Sequence, residues 1–532
     1  MHYAYLFEAR SIQQYIFETG KLKDMVGASR VVDHLCEIGG SDLIGSVLKE
    51  LNLLEGRDIH FSRRAGGSFI GLMQKEDQAF SLRNLWTLTV SHYAPGLEWV
   101  DAIEQGCSDM DAVRRGFDAL ARRRNQPSAV FPEIGPFILR SPHTGRAAAG
   151  QDKKGDWLDA NTLVKRSQVD VKHDIGTKFL PPTREEKYFW VRTLEPSKED
   201  TEDRSMPFIP EAEQILGIIH IDGNGLGMAL RALQKVLVNN NNYQNSSWLF
   251  SKAITETTKT AAQKSTEDVL IPAAEKNGGI LPARPLVLGG DDLTMIVRGD
   301  LAMEYAASFI RHFEVESKNN LALLREEIAD LPQDFPEKLS ACGGIAFIRS
   351  KQPFAQAYAL AESLCAYAKK ESEAVKKTRE FKPSSVAFYR VTTSYIGEYA
   401  EILENVEKFH IHNICYQMTM GAYSVTENDD GLPKWEDLKA FHELLSSMEG
   451  VAARDLLTIL RQSPHLAKDK YRRWREMMMK HQGKEILDKF DKCLEKLQVT
   501  DTDLPFTKES NGIRKTPLGD QHDLLSVLPN HQ

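Results

Sequence analysis

The chain has 532 residues, of which 42% are hydrophobic and 27% charged, and its formal net charge at pH 7 is −8. This length and balance are typical of a globular protein of about three or four domains, and they exclude a mostly disordered chain, a collagen and a coiled-coil rod. There is no apolar run of about 18 residues and no signal peptide at the start, so we expect a cytoplasmic protein without a membrane span.

The first segment, residues 1–125, has the β-α-β-β-α-β pattern of a ferredoxin-like unit. Asp58–Met73 is predicted to form a strand, a tight turn and a second strand. Gly66 and Gly67 supply the turn because glycine tolerates a positive φ. A further helix and a strand at Trp86–Ala94 are predicted to complete the unit.

The second segment, residues 126–210, contains many Pro, Lys, Asp and Glu residues and little periodicity. This composition predicts an irregular insertion or linker. None of the six cysteines of the chain falls in a CxxC pair, so we expect no structural zinc site of the usual spacing. The cysteines are typical of reduced thiols in an intracellular protein.

The third segment, residues 211–395, is predicted to be a second unit of the same pattern. Ile215–Asp222 is a continuous apolar run, which is typical of a buried strand, and a glycine-rich turn and a long helix follow it. Ala283–Asp300 predicts a β-hairpin. After another helix, Leu339–Ile348 predicts a further buried strand, so the fold class is α+β with two ferredoxin-like units.

The remainder, residues 396–532, is predicted to be a helical domain, because apolar residues recur at three- and four-residue spacing. The last 30 or so residues lack this spacing and are predicted to fray. A basic cluster surrounds Trp474 and is either a solvated helix face or a contact surface for RNA. Its members are Lys470, Arg472, Arg473 and Arg475.

The most informative motif is Gly289-Gly290-Asp291-Asp292, which lies between two apolar strands. A hairpin turn of this composition places two carboxylates at one tip. Adjacent carboxylates in an apolar setting repel each other, and a divalent cation removes that cost. Mg²⁺ or Mn²⁺ bound there would also contact phosphate oxygens.

A second motif follows the other buried strand, where Asp222 is succeeded by Gly223, Asn224, Gly225, Leu226 and Gly227. Pairing of the two central strands would bring Asp222 beside the carboxylates of the hairpin. Three carboxylates can hold two metal ions for phosphoryl transfer, with the Gly223 carbonyl as a further oxygen ligand. The backbone N–H groups at the start of the helix would face a triphosphate.

Lys369 lies late on a helix of the same unit and is a candidate to neutralise nucleotide phosphates, with Lys370 as a weaker alternative. Each motif also has an ordinary structural interpretation. The Gly-Gly-Asp-Asp sequence alone is a good hairpin turn, the glycine-rich motif alone is a weak match, and Lys369 alone is a common helix lysine. The two motifs at successive strand ends of one unit favour the functional interpretation.

These residues carry a resemblance to the large palm-domain subunit of type III CRISPR effectors, and more distantly to GGDEF cyclases. The similar stretches in the third segment are His220–Gly227, Leu286–Val297, Ala341–Ile348 and Ala361–Lys370. Tyr5–Leu35 is similar to the first palm domain of that family. The resemblance covers about residues 3–100 and 211–395.

The resemblance implies that Asp222, Asp291 and Asp292 bind two divalent metal ions and that Lys369 contacts phosphate. It also implies a nucleotidyltransferase reaction, in which the 3′-hydroxyl of one nucleotide attacks the α-phosphate of the next and pyrophosphate leaves. Family members make oligoadenylate second messengers in this way. We therefore expect a signal synthase for anti-phage defence, with nucleoside triphosphates as substrates and a downstream effector protein as a partner.

The sequence also departs from the family pattern. The first palm has Ala65-Gly66-Gly67-Ser68 in place of an acidic pair, with Glu8 near the expected strand end, so we expect it to be non-catalytic. The zinc-binding cysteines and the His-Asp nuclease domain of the family are expected to be absent. Asn224 replaces an aspartate that relatives often carry. These departures indicate a stand-alone relative.

Two other functions stay open at this point. The chain would be a scaffold for RNA-bearing partners if Arg472, Arg473 and Arg475 matter more than the aspartates. It would be a nucleotide sensor if it binds a triphosphate without turnover. The base and sugar of the nucleotide, and the length and linkage of a product, do not follow from these motifs.

Overall fold

The structure is a computed structural model. The residues that it describes are 1–36, 42–126, 137–169, 175–194, 204–209, 213–237, 243–328, 331–376, 382–393, 396–411, 414–426, 431–447, 451–510 and 512–528. They form an α+β fold, which confirms the predicted class. No helix in these ranges is long and apolar enough to cross a membrane.

The first unit is built on an antiparallel sheet of four strands. These are β1 (His2–Arg10), β2 (His60–Ala65), β3 (Ser68–Met73) and β4 (Glu98–Gly106). The spatial order β2-β3-β1-β4 is that of a ferredoxin-like fold. The helices are α1 (Ile12–Phe17), α2 (Leu22–Cys36), α3 (Leu43–Glu50), α4 (Glu76–Tyr93) and α5 (Asp109–Arg124).

Alternation along β1 gives each face of this sheet its own apolar layer. Tyr5 and Phe7 point to the face where Trp86 of α4 packs, with the rings of Phe7 and Trp86 5.2 Å apart. Ala4 and Leu6 point to the other face, where α5 packs. The sheet is therefore covered by helices on both faces.

The strand predicted at Trp86–Ala94 is wrong, because almost all of this segment belongs to α4. The alternation of Thr87, Leu88 and Thr89 resembles that of a strand, but Leu88 is 67% exposed and the Thr89 hydroxyl donates to the backbone of its own helix. Trp86 is fully buried and holds the helix against the sheet. The fourth strand, β4, follows this helix.

The described part of the second segment is more regular than predicted. It contains β5 (Ala148–Gln151), β6 (Trp157–Asp159), α6 (Ala160–Ser167) and β7 (Phe189–Trp190), with short 3₁₀ turns between α6 and β7. Lys165 of α6 is fully buried and its Nζ donates to the Tyr15 carbonyl at 2.6 Å and pairs with Glu18 at 2.9 Å. This segment is thereby fixed to the first unit.

The second unit contains the largest sheet. Its strands are β8 (Ile215–Asn224), β10 (Ala283–Gly289), β11 (Asp292–Arg298), β12 (Ser340–Arg349) and β13 (Ser385–Arg390), and β9 (Ile280–Leu281) pairs with β7 outside this sheet. The helices are α7 (Leu226–Leu237), α8 (Tyr243–Ser265), α9 (Ile271–Glu275), α10 (Gly299–Glu327) and α11 (Phe354–Lys376).

The order β10-β11-β8-β12 within this sheet repeats the ferredoxin-like order of the first unit. β13 then adds parallel to β12, and a short strand, β16 (Ala422–Ser424), adds beyond it. Helices α8 and α10 pack on one face of the sheet. Helix α11 packs on the other face together with the first unit.

The C-terminal segment is not purely helical, which corrects the prediction. Its helices are α12 (Tyr399–Ile402), α13 (Trp435–Ser446), α14 (Val451–Gln462), α15 (Pro464–Gln482), α16 (Lys484–Lys496) and α17 (Leu518–Leu524). A small sheet consists of β14 (Lys408–Ile411), β15 (Ile414–Gln417) and β17 (Ile513–Lys515). The tail is held in place up to residue 528, because Leu518 and Leu524 are fully buried.

The two units meet through a shared apolar core. Phe17 of α1 stacks on Tyr358 of α11 with ring centroids 4.5 Å apart. The Ser29 hydroxyl of α2 donates to the Leu286 carbonyl at the edge strand β10. Reciprocally, α8 of the second unit lies against the edge strand β2 of the first. The hairpin tips of both sheets therefore face each other.

Candidate functional site

The three predicted aspartates lie together at the centre of the second sheet. Asp222 on β8 is the direct cross-strand partner of Asp292 on β11, and Asp291 occupies the turn before Asp292. Each residue offers a carboxylate oxygen, and these three oxygens lie within 4.8 Å of one another. Antiparallel pairing thus assembles two motifs that are about 70 residues apart in sequence.

Gly223 is required for this arrangement. A Cβ atom at this position would lie 2.7 Å from the Cβ of Asp291 and 2.9 Å from its Oδ2. Any side chain would therefore displace the Asp291 carboxylate from the strand end. The sequence singled out this glycine for its carbonyl oxygen, whereas the structure indicates a steric role.

The carboxylates repel one another. Burial, and next to it the negative charge of Asp222, raise the pKa of Asp291 to about 6. Burial and the charges of Asp291 and Asp222 also raise the pKa of Asp292. Such a cluster is costly when ionised and has the all-oxygen donor set that hard divalent cations prefer, so the residues fit a magnesium or manganese site.

Lys369 of α11 reaches this cluster. Its Nζ forms an ion pair with Asp222 Oδ2, and the two side chains are 25% and 33% exposed. Burial disfavours the charged amine, but the contact with Asp222 raises the pKa of Lys369 on balance. Its positive charge opposes part of the rise in the pKa of Asp291 and of Asp292. Lys370, the weaker alternative, is exposed.

The glycine-rich turn leads from β8 into α7. The Gly225 carbonyl accepts from the backbone N–H groups of Met228 and Ala229, which begin the helix. The Asn224 side chain lies within the sheet, where its Nδ2 is 3.3 Å from the Ser340 hydroxyl and 3.1 Å from the Cys342 sulfur. Asn224 thus supports the strand ends. A Cβ at Gly227, within the first turn of α7, would lie 3.7 Å from Arg231 Nη1, an ordinary van der Waals contact.

A cavity of about 250 Å³ opens beside the aspartates, between the two units. Leu226, Gly289 and Gly290 from the predicted motifs line it together with Asp291 and Asp292. The remaining walls come from the first unit, from α7 and from α8. This cavity is the space in which a ligand would meet the carboxylates.

Sequence reasoning missed two residues at this site, of which one lines the cavity and the other contacts the hairpin turn. Arg63 of β2 lines it from the first unit, and its positive charge lowers the pKa of Asp291. The Thr258 hydroxyl of α8 lies 2.6 Å from the Gly290 carbonyl oxygen in the hairpin turn. Neither belongs to a motif, and only the packing of the two units brings them to the site.

The first unit has a corresponding set of residues without the acidic cluster. Glu8 pairs across the strands with Ser68, as Asp222 pairs with Asp292. Glu8 also forms an ion pair with Arg124 at the end of α5, which matches the pair of Asp222 with Lys369 on α11. Among the described residues, no cluster of three possible ligands forms around Glu8, so this part of the first unit lacks the donor set that Asp222, Asp291 and Asp292 provide.

The basic cluster on α15 is engaged within the C-terminal segment. Arg475 binds both oxygens of Asp491, and Lys470 lies 3.4 Å from Asp455. Trp474 packs on Phe490 with ring centroids 5.4 Å apart. Arg473 is exposed, and Arg472 is also exposed and lies 4.0 Å from Asp469. These contacts favour a structural interpretation of the cluster.

Comparison with known proteins gives matches to one family. The model of the second palm domain of Cas10/Cmr2 matches residues 215–377. No curated protein sequence matches the chain.

Among solved structures, the chain is similar to a Csm1–Csm4 cassette in complex with cA3, with 13% identity and a TM-score of 0.49 over 99% of this chain and 70% of that chain. A Csm1–Csm4 cassette in complex with AMPPNP has 12% identity and a TM-score of 0.48, and the match covers 99% of this chain and 70% of that chain. Csm1 of T. onnurineus has 14% identity to this chain and a TM-score of 0.40, and the match covers 84% of this chain and 61% of that chain. Residues 215–377, which contain the aspartate cluster, match the second palm domain of the Cas10/Cmr2 family, and this match confirms the resemblance inferred from the motifs of that segment.

Proposed function

We propose that this chain is a nucleotidyltransferase that joins nucleoside triphosphates into a short linear or cyclic oligonucleotide. The observation that carries the proposal is the convergence of Asp222, Asp291, Asp292 and Lys369 in one cluster, of which Asp291 and Asp292 line the cavity between the two units. The match of residues 215–377 to a palm domain supports it. The product would act as a signal in anti-phage defence, read by a downstream effector protein.

In the proposed reaction, the 3′-hydroxyl oxygen of one nucleotide attacks the α-phosphorus of another. A new phosphodiester bond forms, the bond to the β-phosphate bridging oxygen breaks, and pyrophosphate and the hydroxyl proton leave. Two divalent cations, when bound, would supply positive charge for the phosphates and acidify the attacking hydroxyl. The three carboxylates and the Gly223 carbonyl are the candidates to hold them.

The remaining roles belong to residues around the carboxylates. Lys369 would weaken its ion pair with Asp222 and attract the phosphates of the nucleotide as a point charge. The first N–H groups of α7, after Gly225, would donate to phosphate oxygens. Gly289 and Gly290 leave the cavity open beside the carboxylates. Arg63, which projects from the first unit, would contact a ligand from the opposite side.

The test is incubation of the full chain with each ribo- and deoxyribonucleoside triphosphate, singly and mixed, in Mg²⁺ or Mn²⁺. Pyrophosphate release and product mass are the readouts, and the protein with Asp291→Ala and Asp292→Ala is the control. We expect an oligonucleotide that disappears in the control. A product that persists in the control would refute the site.

Two further outcomes would replace the proposal with another function. Tight binding of a triphosphate without pyrophosphate release would identify a nucleotide sensor. Copurifying RNA with a steep salt dependence and no product would identify a scaffold.

A further inference from the structure

The hairpin that carries the acidic pair has a two-residue turn, Gly290-Asp291, between β10 and β11. Gly290 has φ +61°, whereas the φ of Asp291 is negative. A positive φ at the first central position alone is the signature of a type II′ turn. In the first unit, Gly66 and Gly67 both have positive φ, which is the signature of a type I′ turn.

Type I′ and type II′ turns differ by a flip of the central peptide group. In this hairpin the central peptide joins Gly290 to Asp291. A flip of this peptide would turn the Gly290 carbonyl to the opposite side of the turn and change the sign of φ at Asp291. The Asp291 side chain would then point in another direction from the strand end. Aspartate tolerates a positive φ better than most residues, so the sequence Gly-Asp permits both turns.

One contact distinguishes the two orientations. The Gly290 carbonyl lies beyond the ladder between β10 and β11, which ends at the pair Gly289 and Asp292. The Thr258 hydroxyl of α8 lies 2.6 Å from this carbonyl oxygen and 3.1 Å from the carbonyl of Ile254 in its own helix. Thr258 is 1% exposed, so water cannot replace its hydroxyl.

We propose that Thr258 is a positioning residue that holds the central peptide in the type II′ orientation and thereby directs the Asp291 carboxylate toward Asp222 and Asp292. The inference rests on the proposed function only in taking a divalent cation as the ligand of these carboxylates. It assigns a role at the site to α8, which lies outside both motifs. Because α8 also packs on β2, the role links the site to the first unit.

The test compares Mn²⁺ binding to the full chain, measured by titration calorimetry without nucleotide, in four proteins. These are the unchanged chain, Thr258→Val, Thr258→Ser and Ser265→Ala. Valine keeps the shape of threonine and removes the donor, so we expect binding to weaken roughly three- to tenfold. Serine keeps the donor and should bind as the unchanged chain does.

Ser265→Ala is the matched control. Ser265 is fully buried on the same helix, and among the described residues its hydroxyl donates to the Ala261 carbonyl of its own helix and not to the hairpin turn. Its loss should leave Mn²⁺ binding unchanged while it costs similar thermal stability. A crystal structure of the Thr258→Val protein should show a positive φ at Asp291.

Equal binding by the unchanged chain and Thr258→Val would overturn the role of Thr258 and leave the proposed function standing. Loss of binding in both Thr258→Val and Thr258→Ser, or in Ser265→Ala, would also overturn it, because the hydroxyl would then not be the cause. Absence of Mn²⁺ binding in the unchanged chain would overturn the cation site of the proposed function together with this inference.

Discussion

At the scale of single residues, the aspartate cluster depends on an absent side chain as much as on charged ones. Gly223 lets the Asp291 carboxylate approach β8 so closely that a methyl group would collide with it. A carboxylate cluster of this kind is destabilising on its own, because each charge raises the pKa of the next. Its presence at the edge of a cavity therefore indicates a ligand with positive charge.

The first prediction concerns Gly223→Ala. The new Cβ would push Asp291 away from its partners, so we expect Mn²⁺ binding to weaken by about tenfold or more, because the contact is well under the van der Waals distance. Gly343→Ala on the neighbouring strand β12 is the control, since its Cβ would meet the side chains of Ile221 at 3.1 Å and Val386 at 3.5 Å and would not contact Asp291. If both variants bind Mn²⁺ alike, the steric role of Gly223 is wrong.

The second prediction concerns Lys369→Gln. A charge-assisted contact to phosphate would be lost, so we expect the KM for the triphosphate to rise about tenfold. The neighbouring Lys370→Gln is the matched control and should leave the KM unchanged, because Lys370 points to solvent. Steady-state rates of pyrophosphate release give both values. A fall in kcat with an unchanged KM would contradict a role in phosphate binding.

At the scale of secondary structure, α17 carries two acids, Asp520 and Asp523, which interact with Glu407 from the segment before β14. Asp520 accepts from the Met420 N–H and from the Tyr423 hydroxyl, and burial raises its pKa to about 6. Burial also raises the pKa of Glu407 to about 7 and that of Asp523 well above its ordinary value. The folded chain therefore favours the protonated forms here.

The third prediction follows from the sign of this shift. The folded pKa of Asp520 lies above its ordinary value of 3.8, so its contribution to stability is complete below that pH and is lost as the pH rises through about 6. A shift of this size corresponds to about 3 kcal/mol. Asp520→Asn should flatten the fall in unfolding free energy between the ordinary pKa of 3.8 and the folded pKa of about 6, as measured by urea denaturation at a series of pH values. An unchanged slope would show that Asp520 does not titrate in this range.

The elements differ in how far their sequences determined them. The continuous apolar runs of β8, β11 and β12 predicted buried strands, and the Gly-Gly turns predicted both hairpins, because these signals are local. The strand predicted at Trp86–Ala94 was wrong because alternation of polar and apolar residues over a short segment also occurs on a half-buried helix. The strands β14, β15 and β17 were missed because each is only three or four residues long and gains its partners from distant segments.

The candidate site shows the same division between local and distant signals. Asp222, Asp291, Asp292 and Lys369 were predictable because each belongs to a motif with its own strand or helix. Arg63 and Thr258 were not, since their positions beside the cavity come from the docking of the first unit and of α8. No pattern within a single segment encodes that docking.

At the scale of the whole molecule, the two sheets share one apolar core. Leu216 and Ile218 of the second sheet belong to the same buried cluster as Tyr5 and Phe7 of the first. Phe17 and Tyr358 stack at the centre of this contact. The two units should therefore unfold together, since exposure of either sheet would uncover the core of the other.

The fourth prediction tests this cooperativity. Phe17 is 3% exposed, so Phe17→Ala should lower the unfolding free energy by about 3–5 kcal/mol and keep a single calorimetric transition for both units. Phe80, which is 45% exposed on α4, is the control, and Phe80→Ala should change stability by less than about 0.5 kcal/mol. Two separate transitions in the unchanged chain would refute a shared core.

The facing hairpin tips have a consequence for how this chain tolerates sequence change. A Cβ at Gly289 would lie 3.6 Å from the Cα of Gly66, so a single methyl group would fill the space between the two hairpin tips. A bulky residue at either hairpin tip would collide with the other tip, and two bulky residues together would force the two tips apart and widen the cavity. The two turns, some 220 residues apart along the chain, are thus expected to show epistasis, each restricting the substitutions that the other can accept.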